Sequence, residues 1–316
     1  MSTPKSKYLG LSKSRIMQGL QCAKSLYLSV YHPELHPPKP PGQQAIFDQG
    51  HEVGGRAQIL YPGGVSISAP YYDPKSAVEQ TKQAIESSAT AIFEGTFSHN
   101  DVVAKIDILQ KKSTTWEIIE VKSTTSVKEE HIDDVAIQAL IANGAGLPVS
   151  EYSVMHLNRE CKAPDLSNLF SKEDVTSEVR KRMAGIQREI DELKNTLANP
   201  NLPKKDIGPH CTSPYECPFI KHCWSHIPAK SIFDLPGMWK KAWEYYAQGI
   251  ISLTDPRVTP NSVTQERRLE AARSGKRWVD ERGILAELEN WKWPLHYLDF
   301  ETIGFAIPSY KGTAPT

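Results

Sequence analysis

Short apolar runs bounded by turn residues occupy the middle of the chain. Residues 102–109 form a largely apolar run with one acid, Asp107, and residues 115–123 form a second run that ends in Glu120 and Lys122. Their length and their β-branched composition predict buried strands. Because side chains alternate along a strand, Glu120 and Lys122 share one face. Charges at the end of a buried strand are costly unless they bind a metal, a phosphate or each other, so this region predicts a functional site.

Helical periodicity surrounds these strands. Apolar positions three or four residues apart predict helices, and shorter runs predict two further strands at 91–97 and 152–157. The predicted helices span about 12–31, with Ser12 or Ser14 as its cap, then 43–60, 75–88, 128–143 and 171–197. Prolines between 33 and 41 predict an extended loop, and residues 265–291 predict one or two charged helices. The centre of the chain therefore has the order αβββαβ, which is typical of an α/β domain.

Size and charge narrow the function classes. A chain of 316 residues favours two domains, and 37 Lys and Arg balance 37 Asp and Glu. Zero formal charge argues against a protein that coats nucleic acid, but it is compatible with an enzyme whose basic groups are local. The sequence predicts neither a signal peptide nor a membrane span, so we expect a cytoplasmic protein. There its five cysteines are expected to be buried thiols or metal ligands rather than disulfides.

The acid on one strand and the Glu-x-Lys on its neighbour suit one chemistry in particular. Two carboxylates can hold Mg²⁺, which keeps bound waters and accepts phosphate oxygens. A lysine beside them can orient the attacking water and offset charge at the phosphorus. These residues therefore predict phosphodiester hydrolysis by a bound metal. The alternative is a surface Glu–Lys pair on an edge strand, which has no catalytic role.

These motifs resemble the PD-(D/E)XK nuclease superfamily, with Asp107 as the acid and Glu120-Val121-Lys122 as its ExK. The resemblance implies a restriction-endonuclease-like αβββαβ core with added helices. In the RecB-like and CRISPR-associated branch, a helix before the core strands supplies a histidine, and His51 matches it.

The helix after ExK in that branch carries a glutamine, often followed one turn later by a tyrosine. Gln138 matches the glutamine, whereas Ile141 and Ala142 stand where the tyrosine would be. Glu94 is a further candidate acid. The resemblance implies that Mg²⁺ or Mn²⁺ is held by His51, Asp107, Glu120 and the Val121 carbonyl, that Lys122 assists the attacking water, and that Gln138 positions this water or a phosphate.

Three cysteines, Cys211, Cys217 and Cys223, lie close together in a loop-forming segment after the predicted long helix. Thiolates bind iron–sulfur clusters and zinc, and three of them need a fourth ligand. The layout resembles iron–sulfur nucleases, which have one cysteine before the core and three after it. That resemblance implies a structural [4Fe–4S] cluster completed by Cys22, with Cys161 left as a buried thiol. The alternative is a zinc site that uses a nearby histidine, from His210, His222 and His226.

The C-terminal part predicts a helical connector and the start of another domain. Residues 235–253 resemble a helix–hairpin–helix motif, in which a glycine turn binds phosphate; a plain two-helix connector is the alternative. Residues 295–302 predict a strand with Asp299 and Glu301 on one face, which resembles the first motif of DnaQ-like (RNase H-fold) exonucleases. No Asp, Glu or His follows Glu301, so we expect this second site to be incomplete and the natural protein to be longer.

The predicted organisation is a nuclease domain with an iron–sulfur cluster at 1–230, a helical connector at 231–292 and a truncated DnaQ-like start at 293–316. We expect residues 297–305 to contact preceding helices or a neighbouring chain, with the last residues mobile. The function predicted is a Mg²⁺- or Mn²⁺-dependent DNA nuclease, an exodeoxyribonuclease acting on single-stranded DNA or DNA ends in repair, recombination or defence. The alternative is a non-catalytic nucleic-acid-binding or assembly module with a structural zinc or iron–sulfur site, which the zero net charge and the missing tyrosine favour.

Overall fold

The protein is described here by a computed structural model that covers residues 10–38, 42–70 and 72–316. Its strands are β1 (Leu11–Ser12), β2 (Val65–Ser66), β3 (Ala91–His99), β4 (Val102–Lys112), β5 (Thr115–Lys122), β6 (Val149–Leu157) and β7 (Phe170–Asp174). Its helices are α1 (Lys13–Gln21), α2 (Ala23–Tyr31), α3 (Gln43–Ile59), α4 (Pro74–Glu86), α5 (Glu129–Gly144), α6 (Thr176–Ala198), α7 (Ile220–Cys223), α8 (Trp239–Ala247), α9 (Val263–Ser274) and α10 (Glu281–Glu289).

The strands form one mixed sheet in the order β2-β3-β4-β5-β6-β7, and β1 pairs alongside β4. Strands β3, β4 and β5 are antiparallel, β5 and β6 are parallel, and β7 returns antiparallel to β6. The order α4-β3-β4-β5-α5-β6 confirms the predicted αβββαβ order. Strands β1, β2 and β7 were not predicted, because runs of two to five residues are too short to show a period.

Helices cover both faces of the sheet. One face packs against α1, α4, α5 and α6 in a large apolar cluster that includes Ile106, Ile118 and Ile137. The other face packs against α3 in a smaller cluster that includes Ile108 and Ile119. Because both faces are covered, the strands have near-continuous apolar sequences.

The backbone is irregular where β3 and β4 pass Asp107. Glu94 lies opposite Asp107, between the Phe93–Ile108 and Gly95–Ile106 pairs, and has a φ of +61°, which a non-glycine residue seldom adopts. Side-chain alternation also shifts here, because Ile106 and Leu109 belong to one cluster and Ile108 to the other. Such distortions are often concentrated at functional sites.

The first predicted helix is two helices. Ser12 caps α1 as predicted, since its Oγ accepts a hydrogen bond from the Arg15 N–H at 3.3 Å. Cys22 then adopts an extended conformation, with φ −161° and ψ 109°, which ends α1 and begins α2. A further correction concerns α6, which begins at Thr176 rather than near 171, because Phe170–Asp174 pair with β6. Periodicity could reveal neither break, because the apolar positions continue through both.

The chain divides into two compact units. The first comprises the described residues up to Lys205, His210–Phe219 and Ile303–Thr316, and the second comprises Asp206–Pro209 and Ile220–Thr302. The core of the second unit consists of nine buried apolar residues, which are Ile232, Leu235, Met238, Ala242, Tyr245, Ile250, Leu253, Val258 and Leu269. None of the described helices is long and apolar enough to cross a membrane.

The predicted helix–hairpin–helix is wrong. Over 235–253 one α-helix, α8, follows the turn at Gly237, and the segment from Gly249 to Leu253 is not helical. The second helix of the motif is therefore missing from this segment. The charged helices predicted over 265–291 are confirmed as α9 and α10.

The predicted strand at 295–302 is also wrong, since these residues form no strand in the described structure. Tyr297 and Phe300 are 87% and 84% exposed. An isolated strand has no partner for its backbone groups, which explains why the alternating pattern alone did not produce one. Contrary to expectation, the residues after Phe305 make the contacts: Ala306 and Ile307 are buried beside Val53.

Candidate active site

Strand β5 and helix α5 bring charged side chains together in the first unit. Glu120 is 2% exposed, and its Oε1 lies 2.7 Å from the Lys122 Nζ. Lys122 Nζ is also 2.5 Å from Oδ2 of Asp134 on α5. Gln138, one turn further along α5, donates from Nε2 to Glu120 Oε2 at 2.5 Å and to Asp134 Oδ1 at 3.2 Å. The sequence-predicted Glu120, Lys122 and Gln138 therefore form one buried network.

Asp107 joins this network through the backbone. Its Oδ2 accepts a hydrogen bond from the Val121 N–H at 2.8 Å, which ties β4 to the strand that carries Glu120. Burial raises the pKa of Asp107, and the charge of Lys13 and the Val121 N–H only partly oppose this rise. This contact of the Val121 N–H was not predicted. Metal binding by the Val121 carbonyl stays a prediction.

The negative charge of Glu120 is compensated by two ammonium groups. Burial and the charge of Asp107 act to raise its pKa, but Lys13 and Lys122 outweigh them and the pKa is lowered. For Lys122, burial acts to lower the pKa, while the carboxylates of Glu120 and Asp134 raise it by more. Both groups are therefore ionised at neutral pH.

Two members of the network were not predicted, Lys13 and Asp134. Lys13 is the first residue of α1, and its Nζ lies 3.2 Å from Glu120 Oε1 and 2.7 Å from Asp134 Oδ1. No sequence pattern connects Lys13 with Glu120, since they are 107 positions apart. Asp134 could have been predicted from the sequence, because it lies four residues before Gln138 and therefore on the same face of the helix.

The predicted histidine lies at a cavity beside this network. His51 is exposed on α3 and lines a cavity of about 510 Å³ together with Lys13, Glu94 and Asp107. Glu94 forms an ion pair with Lys105 at the same cavity. His51 and Asp107 therefore share a solvent-accessible space large enough for a phosphate group.

The side chains of the network include oxygen donors of the kind that bind divalent cations, but they are not arranged around a common metal position. Among the described residues, no three His, Cys, Asp or Glu side chains converge closely enough to hold a metal ion. The carboxylates of Asp107, Glu120 and Asp134 are hard oxygen donors that already surround a positive charge, the Lys13 ammonium. Gln138 Oε1 is buried without a hydrogen-bond partner, which leaves an acceptor free for a bound water.

The structure brings three of the four predicted cluster cysteines into one region. Cys217 donates from its backbone N–H to Cys211 O at 2.8 Å. Burial raises the pKa of Cys217, to which the neighbouring thiols of Cys22 and Cys211 add, while Ser25 lowers it. Cys223 belongs to the second unit. Cys161 is fully buried, as predicted.

Gln21 connects α1 to the cysteine loop. Its Nε2 donates to His210 O at 2.7 Å and to Tyr215 O at 2.6 Å, across 189 and 194 positions of sequence. Nε2 of His210, one of the three candidate histidines of the zinc alternative, lies 3.8 Å from the Cys211 Sγ. The loop is thus held to the helix that carries Lys13.

Asp299 and Glu301, the predicted second site, are exposed in an irregular segment. The Asp299 Oδ1 accepts a hydrogen bond from the Phe300 N–H at 2.9 Å. Within the described part of the chain, no metal-binding group forms around these two acids.

The first unit is therefore an α/β domain with a mixed sheet and a buried acidic–basic network at β4, β5 and α5. No protein-family model matches the sequence, and the search of curated proteins finds no significant match. Among solved structures, the chain is similar to an alkaline exonuclease from Laribacter hongkongensis. The identity is 13%, the TM-score is 0.22, and the match covers 60% of this chain and 93% of that chain. This TM-score is too low for the similarity to bear on fold or activity.

Proposed function

We propose that the protein is a Mg²⁺- or Mn²⁺-dependent DNA nuclease with a PD-(D/E)XK site in a restriction-endonuclease-like domain. One observation supports this most strongly. Asp107, Glu120, Lys122 and Gln138 come from two adjacent strands and a helix, and they meet in one network beside the cavity that His51 lines. A surface Glu–Lys pair, the alternative, would be exposed, whereas Glu120 is 2% exposed.

In this proposal each side chain has a defined task. Asp107, Glu120, His51 and the Val121 carbonyl would hold the cation, which when bound would polarise the phosphate and lower the pKa of a water. The ammonium of Lys122 offsets negative charge at the phosphorus, and Glu120 and Asp134 fix its position. The Gln138 Oε1, which has no other partner, accepts a hydrogen bond from the attacking water.

Exonuclease action on single-stranded DNA or DNA ends, in repair, recombination or defence, is the finer part of the proposal. It rests on the resemblance of Asp107, Glu120-Val121-Lys122, His51 and Gln138 to the RecB-like branch. The balanced overall charge fits an enzyme that acts at ends better than one that coats DNA.

We further propose a structural [4Fe–4S] cluster on Cys22, Cys211, Cys217 and Cys223. The support is the proximity of the Cys22 and Cys211 thiols to Cys217, together with the soft donor chemistry of thiolates. Such a cluster would close the long loop that Gln21 already bridges by hydrogen bonds.

The nuclease is tested with labelled single- and double-stranded DNA, with and without Mn²⁺, on anaerobically purified protein. Glu120→Gln and Lys122→Ala should each lower the cleavage rate by about a hundredfold or more, since the first loses a metal ligand and the second loses the ammonium that offsets charge at the phosphorus. The matched control is Glu117→Gln, which changes another buried glutamate on the same strand but on the opposite face. It should keep the wild-type rate per folded molecule. Equal rates in the wild type and both site variants would refute the proposal.

The cluster is tested by iron, sulfide and zinc analysis and by visible absorption of the anaerobic protein. We expect a brown protein with iron and sulfide, and loss of colour when any of the four cysteines is replaced by serine. Cys161→Ser is the control and should stay coloured. Stoichiometric zinc without iron would refute the iron–sulfur cluster and favour the zinc site, whose candidate histidines are His210, His222 and His226.

A non-catalytic nucleic-acid-binding module is the second candidate. The observation that favours it is the Lys13 ammonium, which already compensates the carboxylates that a metal would need. In that case DNA would bind equally with and without Mn²⁺, and no cleavage would depend on Glu120. The same assay, with a binding measurement beside it, separates the two functions.

A further inference from the structure

Lys13 occupies the centre of the acidic network. Its Nζ lies between Glu120 Oε1 and Asp134 Oδ1, and its side chain is 20% exposed. Burial acts to lower the pKa of Lys13, but Glu120 and Asp134 raise it by more, so the ammonium stays charged. The position among the carboxylates where a cation is most favourable is thus taken by this side chain.

The charges of the network show what metal binding requires. Glu120 and Asp134 each form ion pairs with both Lys13 and Lys122, so two acidic side chains already face two basic ones. A divalent cation added beside both lysines would bring two further positive charges into a region of low dielectric. If the cation replaces Lys13, only one positive charge is added.

The surroundings of Lys13 allow such a replacement. Lys13 lines the cavity of about 510 Å³ that contains His51 and Asp107, and also a second cavity of about 470 Å³ lined by Lys122 and Tyr215. A lysine side chain has a flexible four-carbon stem. The ammonium can therefore leave the carboxylates for either space while the backbone of α1 stays in place.

We propose that Lys13 is a built-in counter-cation that exchanges with the catalytic metal. In the metal-free protein it pairs with Glu120 and Asp134, and on metal binding its side chain moves into one of the adjoining cavities. The exchange deepens the proposed function and rests on it, because it assigns a cation to these carboxylates. Without metal, the Lys13 ammonium offsets the negative charge of the buried carboxylates. Each time a metal ion binds, the ion pairs of Lys13 must first be broken.

The first test is calorimetric titration of Mn²⁺ into protein stripped of metal. Lys13→Met should bind Mn²⁺ about tenfold more tightly than the wild type, because no ion pair then has to be broken first. The matched control is Lys105→Met, which removes a positive charge from the same cavity without freeing Glu120 or Asp134. It should change the affinity by less than about twofold. Without metal, Lys13→Met should also unfold at a lower temperature than the wild type, and it should gain more from saturating Mn²⁺.

The second test uses the wild type and so does not depend on a variant that folds. Pulse acetylation with an amine-reactive reagent, followed by peptide mass spectrometry, compares Lys13 with and without saturating Mn²⁺. The paired ammonium should react slowly without metal and several-fold faster with it, whereas Lys105 should react equally in both states.

The outcomes separate this inference from the function on which it rests. If the wild type binds Mn²⁺ and cleaves DNA through Glu120, but neither the Lys13→Met affinity nor the Lys13 labelling changes, the exchange is refuted and the nuclease stands. If neither the wild type nor Lys13→Met binds Mn²⁺, both are refuted. If Lys13→Met binds Mn²⁺ and the wild type does not, the exchange is supported and the ammonium blocks the site.

Discussion

Two buried glutamates on β5 have different surroundings because their side chains point to opposite faces of the strand. Glu117 and Glu120 are 1% and 2% exposed, and each lies near two lysines. Glu120 faces α5, where Asp134 and Gln138 complete the network. Glu117 faces the other side and accepts hydrogen bonds from Ser153 at 2.6 Å and Lys172 at 2.9 Å. The first therefore has the surroundings of a functional group and the second those of a structural ion pair.

At the scale of single residues, we predict that Glu117→Gln acts on stability alone. Burial acts to raise the pKa of Glu117. Hydrogen bonds from Ser153, Lys172 and Lys112 lower it by more, so the pKa of Glu117 lies below its ordinary value. A lowered carboxylate pKa stabilises the folded state above the ordinary value of 4.5, and the contribution is lost as pH falls through the folded-state pKa. Glu117→Gln should thus cost about 1–2 kcal/mol at neutral pH, with the difference from wild type shrinking in acid.

Urea denaturation over a pH series measures this difference. The control is Glu151→Gln, an exposed partner of Lys112, which should cost less than about 0.5 kcal/mol at every pH. A Glu117→Gln difference that stays constant from neutral to acid pH would show that the charge is not responsible.

The sequence could predict the residues of the site that belong to a local motif. Glu120 and Lys122 stand two apart on one strand, so side-chain alternation was enough to place them on one face. Gln138 came from the resemblance to the RecB-like branch, whose helix after ExK carries a glutamine. Lys13 could not be predicted. It follows the helix cap Ser12, and nothing in the local sequence indicates which distant carboxylate a lysine at this position will contact. That pairing is a property of the folded chain.

At the scale of secondary-structure elements, what the sequence can predict depends on the length of each element and on whether a strand has a neighbouring strand to pair with. Strands β3 to β6 and helices α3 to α5 were predicted within a few residues, because each is long enough to show its period. The short strands β1, β2 and β7 exist because a neighbouring strand pairs with them. Residues 295–302 have the alternating pattern and no neighbour, and they form no strand.

Helix α1 positions Lys13 and contacts α6 through a glycine. An added Cβ at Gly19 would lie 2.6 and 2.7 Å from the two terminal methyl groups of Leu193 and 3.0 Å from Leu26. Both leucines are buried, so neither can move away freely. We predict that Gly19→Ala destabilises the protein by about 1 kcal/mol, because overpacking exceeds the gain in helix propensity.

The matched variant is Gly55→Ala on α3, where an added Cβ meets no atom within 4 Å. Here helix propensity acts alone and should stabilise the protein by about 0.5–1 kcal/mol. Thermal unfolding of both variants beside the wild type measures the two signs. Equal shifts in the same direction would mean that the contact of α1 with Leu193 is not as described.

At the scale of the whole molecule, charged groups are concentrated in one network and each unit has its own apolar core. The formal net charge is zero, yet carboxylates and lysines concentrate at one network in the first unit. The second unit has its own apolar core around Ile232 and Ile250. Composition alone therefore could reveal neither the site nor the division of the chain, because both depend on where residues lie rather than on how many there are.

The last prediction separates metal binding from stability with one substitution in each unit. Asp107 is buried and its pKa is raised, so its ionised form costs stability at neutral pH. Asp107→Asn should keep or raise the free energy of unfolding in chelator, since an amide oxygen can still accept from the Val121 N–H, but Mn²⁺ binding should be lost. Ile250→Ala, in the core of the second unit, should lower stability by about 2–4 kcal/mol and leave Mn²⁺ affinity unchanged. Urea denaturation and calorimetric titration measure the two properties independently. Wild-type Mn²⁺ affinity in Asp107→Asn would remove Asp107 from the proposed metal site.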